Sequence, residues 1–341
     1  MYVNNLRLYA KHLRRDLVDG STGLLEPAHK RLLVQGANGS GKSTILEAIA
    51  KLWDFFGEWI DAGPGRNVSG RLRSFKHYFA DVDLAAVELK SFLPDQKSLW
   101  IGMGKVSDWV DLKTQHPAAE FAGLVQSKGV WEVQLPPGDW TNFRQRSIVG
   151  SEPQPNIVFF PAEDRTVASG SGKSPHLIDL MPFRWLASYG SQVDLESLLL
   201  TVRADSRADY DEAMRFINQA LDNQRKEISD LGPRGFIVRG KTEFGKVYEH
   251  AITSLSSGEK QMVLLIGFVA ATLRPGGIVI IDEPDLHIHI VMVQQLLGSI
   301  EAIVKERNGQ LIVAAHSEEV WDWFSLSSEQ VELTPWRRTT Q

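Results

Sequence analysis

The sequence predicts an α/β fold with a mostly parallel core sheet, an antiparallel β subdomain and a helical subdomain. Three apolar runs without polar alternation, at residues 31–34, 278–281 and 310–315, are typical of strands that are buried on both faces. Each run ends in residues that suit phosphate or metal binding. Since ligands bind at the carboxyl ends of the strands in such sheets, we expect Val34, Ile281 and Ala315 to reach the same edge.

The first run leads into a complete phosphate-loop pattern, G-x-x-x-x-G-K-[ST], at residues 36–43. Glycines permit positive φ angles, so that successive backbone N–H groups face phosphate oxygens, and the helix predicted over residues 43–53 directs its positive end at the same anion. We expect Lys42 to reach the β- and γ-phosphates and Ser43 to bind Mg²⁺. The alternative is a glycine-rich turn that binds nothing. The predicted nucleotide-binding residues of this segment are Gly36, Ala37, Asn38, Gly39, Ser40, Gly41, Lys42, Ser43 and Thr44.

The second and third runs end in titratable residues. Asp282 follows the strand predicted at residues 278–281 and is expected to hold the magnesium ion, while Glu283 is expected to polarise the attacking water as general base. His316 follows the third run, where it is expected to lie near the γ-phosphate and to bind one of its oxygens. The alternatives are a surface strand that ends in an acidic turn and a histidine with a purely structural role.

A serine-glycine segment, Ser256, Ser257 and Gly258, precedes a helix predicted over residues 259–272. Hydroxyl groups, backbone N–H groups and the helix dipole together make a second anion site at such a helix start. An ordinary N-cap explains the serine equally well. The residues alone leave both interpretations open.

In order and spacing, these segments resemble the ATPase head of ABC-type proteins. Gly258 lies 24 residues before Asp282, and His316 lies 33 residues after Glu283. The resemblance implies that ATP and Mg²⁺ are bound between two copies of the chain. It also implies that Ser256, Ser257 and Gly258, the signature segment, cap the γ-phosphate held by the phosphate loop of the other copy.

The residues of the later segments resemble those of OLD-like, AAA-labelled ABC ATPases, which serve in DNA repair and anti-phage defence. Residues 282–289 read Asp-Glu-Pro-Asp-Leu-His-Ile-His, and Ser317 follows the histidine, where transporter subunits more usually carry an aspartate. Only 25 residues follow His316, so the Toprim nuclease domain of OLD proteins is not expected. One departure concerns the glutamine that the family places after an edge strand. Here residues 157–160 are followed by Glu163 and Asp164, and we expect one of the two, with Glu163 the candidate, to replace it in the magnesium shell.

Composition limits the choice of partners. The 341 residues are 43% hydrophobic and 23% charged, which is ordinary for a soluble globular protein, and no 18-residue apolar stretch occurs. The chain has no cysteine, which fits the cytoplasm. A net charge of −5 gives no overall attraction to nucleic acid, so such a contact needs a local patch. The candidate patch is Arg66, Arg71, Arg73 and Lys76, and a solvated basic loop is the alternative.

The chain is expected to form a single ATPase domain in three parts. The nucleotide-binding core takes residues 1–60, 151–170 and 250–325. Residues 61–150 form the antiparallel β insert, because short alternating runs recur there, and residues 171–249 form the helical subdomain and a hairpin. This helical insert is too short for the coiled-coil arms of SMC-type ATPases.

The preferred function is an ATPase that dimerises over ATP and controls a separate effector, a nuclease or a toxin, in anti-phage defence or DNA maintenance. Two alternatives remain. The first is the ATPase subunit of a membrane transporter, which the signature segment and the residues after His316 argue against. The second is a sensor module in which ATP acts as a clamp and turnover is incidental.

Overall fold

A computed structural model describes residues 6–11, 23–24, 30–62, 83–89, 97–134, 155–163, 177, 184–189, 193–231, 235–286, 288–325 and 329–333. The core is a six-stranded sheet in which all neighbouring strands are parallel, in the order β15-β3-β14-β13-β8-β9. Its strands are β3 (Arg31–Gly36), β8 (Ile157–Phe160), β9 (Leu186–Ser188), β13 (Ile278–Asp282), β14 (Gln310–Ala315) and β15 (Glu329–Leu333).

The register of the core sheet confirms the predicted common edge. Asp282 of β13 pairs with Ala314 of β14, and Ala314 pairs in turn with Val34 of β3. The strands β3, β13 and β14 therefore end at the same side of the sheet. The central strands are aliphatic on both faces because both faces are covered, which explains the runs without alternation.

The helix α1 (Lys42–Ala62) lies between the core sheet and a second sheet. It continues beyond the predicted end at residue 53 because Phe55, Phe56 and Ile60 are also buried. Trp53 Nε1 donates a hydrogen bond of 3.1 Å to the carbonyl oxygen of Trp185, which fixes the helix against the edge of the core sheet. The helix that begins at the phosphate loop is thus anchored along its length.

The second sheet has the order β2-β1-β4-β5-β6-β7 and is mostly, but not wholly, antiparallel. Its strands are β1 (Leu6–Lys11), β2 (Gly23–Leu24), β4 (Leu84–Leu89), β5 (Leu99–Lys105), β6 (Glu120–Ser127) and β7 (Val130–Gln134). The antiparallel arrangement expected for the insert holds for every neighbouring pair of strands except β5 and β6, which pair in parallel. The helix α2 (Val106–Gln115) makes this crossover and packs its buried Trp109 against Gly102 and Gly123.

The helical part contains α3 (Leu195–Asp205), α4 (Arg207–Asp222) and α5 (Ser257–Thr272), with a small antiparallel sheet, β10-β11-β12. The predicted hairpin corresponds to β11 (Phe236–Lys241) and β12 (Val247–Ala251), and β10 (Lys226–Asp230) adds a third strand. Thirteen of the sixteen residues of α5 are buried, because α3, α4 and α6 (Ile290–Glu306) pack around it. A short helix, α7 (Glu318–Phe324), follows β14. Within the ranges described, no helix has both the length and the apolar character needed to cross a bilayer.

Candidate functional site

The phosphate-loop segment connects the end of β3 to the first residue of α1. Gly39 and Gly41 have φ angles of +79° and +95°, a region that favours glycine, and Ser40 N–H donates to the carbonyl of Ala37 at 3.1 Å to close the turn. Ala37, Asn38 and Gly39 are exposed at the tip of the loop. The loop therefore presents its backbone to solvent at the amino end of a long helix, where the dipole contributes about half a positive charge.

Lys42 lies across the mouth of this loop. The residue is 5% exposed, and its Nζ donates hydrogen bonds to the carbonyl oxygens of Gly36 at 2.8 Å and Ala37 at 3.3 Å. Ser43 is exposed in the first helical turn, and the buried Ser40 Oγ has no hydrogen-bond partner among the described residues. A loop cation, helix-start N–H groups and two hydroxyls fit the phosphates of a nucleotide and its Mg²⁺.

The two acidic residues, Asp282 and Glu283, lie at the same edge of the sheet, at the end of β13, which is the direct neighbour of β14. Asp282, at the end of β13, is 2% exposed, whereas Glu283 is partly exposed just beyond the strand. Glu283 has a left-handed backbone with φ of +54°, and its N–H donates to Ala314 O at 2.7 Å. This conformation costs a residue other than glycine about 1 kcal/mol, and strain of this kind is common where a side chain must be aimed.

His316 meets Glu283 directly. Its Nδ1 lies 3.3 Å from Oε1 of Glu283, and the side chains are 46% and 23% exposed. Glu283 and His316 both reach this edge because each follows the end of a core strand. Their contact with each other depends on the turn at Glu283 and was not predicted. The pair places a carboxylate that can accept a proton beside an imidazole that fixes its orientation.

The signature segment begins α5 with a capping box. Ser256 Oγ accepts a 3.3 Å bond from Glu259 N–H, while Glu259 Oε2 accepts bonds from Ser256 N–H at 2.9 Å and Ser256 Oγ at 3.0 Å. The ordinary N-cap interpretation therefore describes the local role of Ser256. Ser256 and Ser257 are exposed and Gly258 is buried, so both hydroxyl-bearing residues are accessible to another molecule. Their role towards phosphate stays a prediction.

Glu259 itself is buried and is held by a cation from the small sheet. Lys226 Nζ of β10 lies 2.6 Å from Glu259 Oε1. Burial on its own would raise the pKa of Glu259, but the hydrogen bonds from Lys226 and Ser256 outweigh it and hold this pKa below its ordinary value. Neither residue was predicted from the sequence. The S-x-x-E spacing of a capping box was a usable signal for Glu259, whereas nothing local pointed to Lys226.

The remaining predicted residues are only partly placed. Glu163 is exposed three residues beyond the end of β8, and its magnesium role stays a prediction. Asp164 and the basic patch of Arg66, Arg71, Arg73 and Lys76 lie outside the described residues. In the part of the chain that is described, no group of three or more His, Asp or Glu residues is arranged to hold a metal ion. The expected magnesium roles of Ser43 and Asp282 stay predictions as well.

Comparison with protein families gives one match. Residues 189–322 match the AAA_21 model, described as "AAA domain, putative AbiEii toxin, Type IV TA system". The matched range contains the signature segment, the strand β13 with Asp282 and Glu283 at its end, and His316. The phosphate loop lies before this range. A comparison with curated proteins found no match.

Several solved structures are similar over most of their length. They include the SMC head domain from Thermotoga maritima, with 14% identity, a TM-score of 0.46 and coverage of 95% of this chain and 92% of that one. An Smc head domain with an extended coiled coil, bound to the C-terminal domain of ScpA from Pyrococcus furiosus, has 13% identity, a TM-score of 0.44 and coverage of 94% and 91%. A dimeric ATP-binding cassette in a post-hydrolysis state with ADP and Pi has 14% identity, a TM-score of 0.38 and coverage of 97% of both chains.

The class of protein follows from the strand order and the site rather than from these distant similarities. An all-parallel core carries a phosphate loop, a carboxylate strand and a histidine at one edge, and the later segments lie within an AAA domain match. These observations support a P-loop ATPase of the ABC/AAA type.

Proposed function

We propose that this protein binds ATP with Mg²⁺ between two copies of itself, hydrolyses it, and uses the cycle of association and release to control a separate effector. The observation that supports the hydrolysis step is the contact between Glu283 and His316 at the edge of the sheet where β3 leads into the phosphate loop. A phosphate loop alone explains binding. A carboxylate held by a histidine at the same edge supplies a group that can activate water.

Each residue then has a defined task. Lys42 exchanges its two loop carbonyls for oxygens of the β- and γ-phosphates, and Ser43 with Asp282 holds the magnesium, which neutralises charge on the phosphates when bound. Glu283 takes the proton of the attacking water. His316 orients Glu283 through Nδ1, which leaves Nε2 as the ring nitrogen that can contact the γ-phosphate.

We assign the signature segment to the nucleotide site of a second copy. In the described residues, the side-chain hydrogen bonds of Ser256 all go to Glu259 and none goes to the phosphate loop. Ser256 and Ser257 are nevertheless exposed at the start of a helix, the geometry that binds anions. A second copy that presents these residues to the γ-phosphate would give association that depends on ATP.

The experiment separates association from turnover. A Glu283→Gln variant keeps the shape of the site and loses the base, so it should form a dimer when ATP is added, measured by light scattering during size-exclusion chromatography. Lys42→Ala should stay monomeric and lose at least about a hundredfold in turnover. Lys51→Ala is the matched control, because Lys51 lies on the same helix, is partly exposed and pairs with its neighbour Glu47. A monomeric Glu283→Gln protein at saturating ATP, or full turnover by Lys42→Ala, would overturn the proposal.

A nuclease or toxin effector in anti-phage defence is the biological role that we favour over DNA maintenance. The description of the matched AAA domain as a putative toxin of a type IV TA system supports a role in such a system over DNA maintenance. Cells that carry the gene with its genomic neighbours should show fewer plaques on phage challenge, and Lys42→Ala should restore the plaque count. Equal plaque counts with and without the intact segment would contradict the defence role and leave the ATPase proposal standing.

A further inference from the structure

A cavity of about 840 Å³ lies between α4 and the small sheet β10-β11-β12, outside the phosphate-loop site. Five cationic side chains line it against two carboxylates, and apart from Val247 and one glycine every residue that lines it is polar or charged. Such a wall suits an anion and offers no aromatic surface on which a base could stack. The cations are Arg215, Arg225, Lys226, Arg239 and Lys241.

The cations differ in how strongly they are engaged. Arg215 and Arg239 form ion pairs of 2.8 Å with Glu306 and Glu249, but all four side chains are about half exposed, so an incoming anion can replace these weak pairs. Arg225 and Lys241 form no ion pair within the described residues. They are neighbours, because Lys241 N–H donates to the carbonyl oxygen of Arg225 at 3.0 Å. Two adjacent cations thus remain available to a ligand.

Lys226 connects this cavity to the signature segment. It lines the cavity, and its Nζ is also the cation that holds the buried Glu259 at 2.6 Å. Glu259 in turn accepts both the N–H and the hydroxyl of Ser256. Lys226 is therefore shared between the open basic cavity and the ion pair that holds the serine at the start of α5.

We propose that this cavity is a regulatory site for a phosphate-bearing ligand, and that its occupation is transmitted to Ser256 through Lys226 and Glu259. A phosphate group that contacts Lys226 competes with Glu259 for the ammonium. The Glu259 carboxylate then loses part of its hold and orients Ser256 less firmly, so an occupied cavity weakens ATP-dependent association. The transmission rests on the proposed role of Ser256 between two copies, whereas binding in the cavity does not.

The arginines favour phosphate as the anion. A guanidinium group binds phosphate oxygens through two parallel hydrogen bonds, and the cavity offers three such groups with two lysines. Phosphate of this kind comes either from a free compound of nucleotide size or from the backbone of a nucleic-acid strand. The chemistry of recognition is the same for both, and the length of the probe distinguishes them.

Binding is measured first, without ATP, by fluorescence anisotropy of labelled thymidine oligonucleotides of about two and about twenty residues. An Arg225→Met/Lys241→Met variant should weaken binding at least about tenfold, while Arg207→Met, an exposed arginine earlier on α4, and Lys42→Ala should leave it unchanged. Binding of both probes indicates a free compound, and binding of the longer probe alone indicates a strand. No binding, equal weakening by Arg207→Met, loss in Lys42→Ala, or displacement by polyglutamate of equal charge would each overturn the site.

Transmission is measured next, as the ATP concentration that gives half-maximal association of the Glu283→Gln protein. Saturating probe should raise this concentration about fivefold or more. A Glu283→Gln protein that also carries Lys226→Met and Glu259→Gln lacks the ion pair and keeps no buried charge. The probe should not change the ATP concentration at which this protein is half-associated. A bound probe that leaves the ATP requirement of the parent unchanged, or a response that survives loss of the pair, would overturn the transmission. Failure of Glu283→Gln to associate with ATP would instead contradict the proposed function, and the binding result would stand.

Discussion

Replacing Lys226 by methionine should lower the free energy of unfolding by about 3 kcal/mol at neutral pH, the lower end of the range for a buried ion pair that loses one partner. The lower end applies because the Lys226 and Glu259 side chains retain 19% and 8% exposure. The capping hydrogen bonds from Ser256 to Glu259 also remain. Methionine keeps most of the aliphatic stem of lysine, so the loss reports on the charge rather than on packing.

The loss of stability in Lys226→Met should depend on pH, in a direction that the pKa of Glu259 determines. In the parent protein the pKa of Glu259 lies below its ordinary value of 4.5, so its ionisation stabilises the fold above that value, and this stabilisation is lost as pH falls through the folded pKa. In the variant, burial still raises the pKa of Glu259 but the lysine no longer opposes it. The difference in stability between the two proteins should therefore be largest at neutral pH and should shrink as pH falls towards and then below 4.5.

Denaturant unfolding at a series of pH values measures both quantities. The variant Lys226→Met/Glu259→Gln is the matched control, because it removes the buried charge with its partner and should recover most of the lost stability. Equal stability of Lys226→Met and the parent at neutral pH would refute the reasoning. So would a deficit that stays constant on acidification.

Two further predictions concern the phosphate loop and the histidine at the same edge of the core sheet. Gly39→Ala should cost about 1 kcal/mol in unfolding free energy because φ is +79°, although its Cβ would meet no atom within 4 Å, and it should weaken ATP binding measured by calorimetry. Gly129→Ala, with the same φ and the same open surroundings, should cost as much stability without changing ATP binding, and equal effects on binding would contradict the loop assignment. His316→Ala should lower kcat at least about tenfold with a change in KM below about threefold, because Glu283 loses its orienting partner. His250→Ala is the control, and an unchanged kcat in His316→Ala would remove the histidine from the mechanism.

The core of the fold was predictable because it depends on local signals. Strands buried on both faces read as unbroken aliphatic runs, and the parallel arrangement then placed Asp282, His316 and the phosphate loop at one edge. The parallel pairing of β5 and β6 was not predictable in the same way. Short alternating runs suit either orientation, and the choice depends on a buried Trp109 packing over glycines from two strands.

The electrostatic details of the site depended on distant parts of the chain. The Glu283–His316 contact needs a left-handed backbone at residue 283. A glutamate at this position gives no sequence signal for that conformation, whereas a glycine would. The Lys226–Glu259 pair joins residues 33 apart in sequence on a strand and a helix. No periodicity encodes such a pair, since the two residues meet only after the small sheet and α5 have both packed against α4.

The most direct measurement of the shared site is a mixing experiment with Lys42→Ala and Ser256→Arg proteins, each expected to be inactive alone. A mixed dimer keeps one complete site, made of Lys42 from one copy and Ser256 from the other, so an equal mixture should recover up to about a quarter of the parent turnover. Full association and turnover by Ser256→Arg on its own would contradict a nucleotide held between two copies.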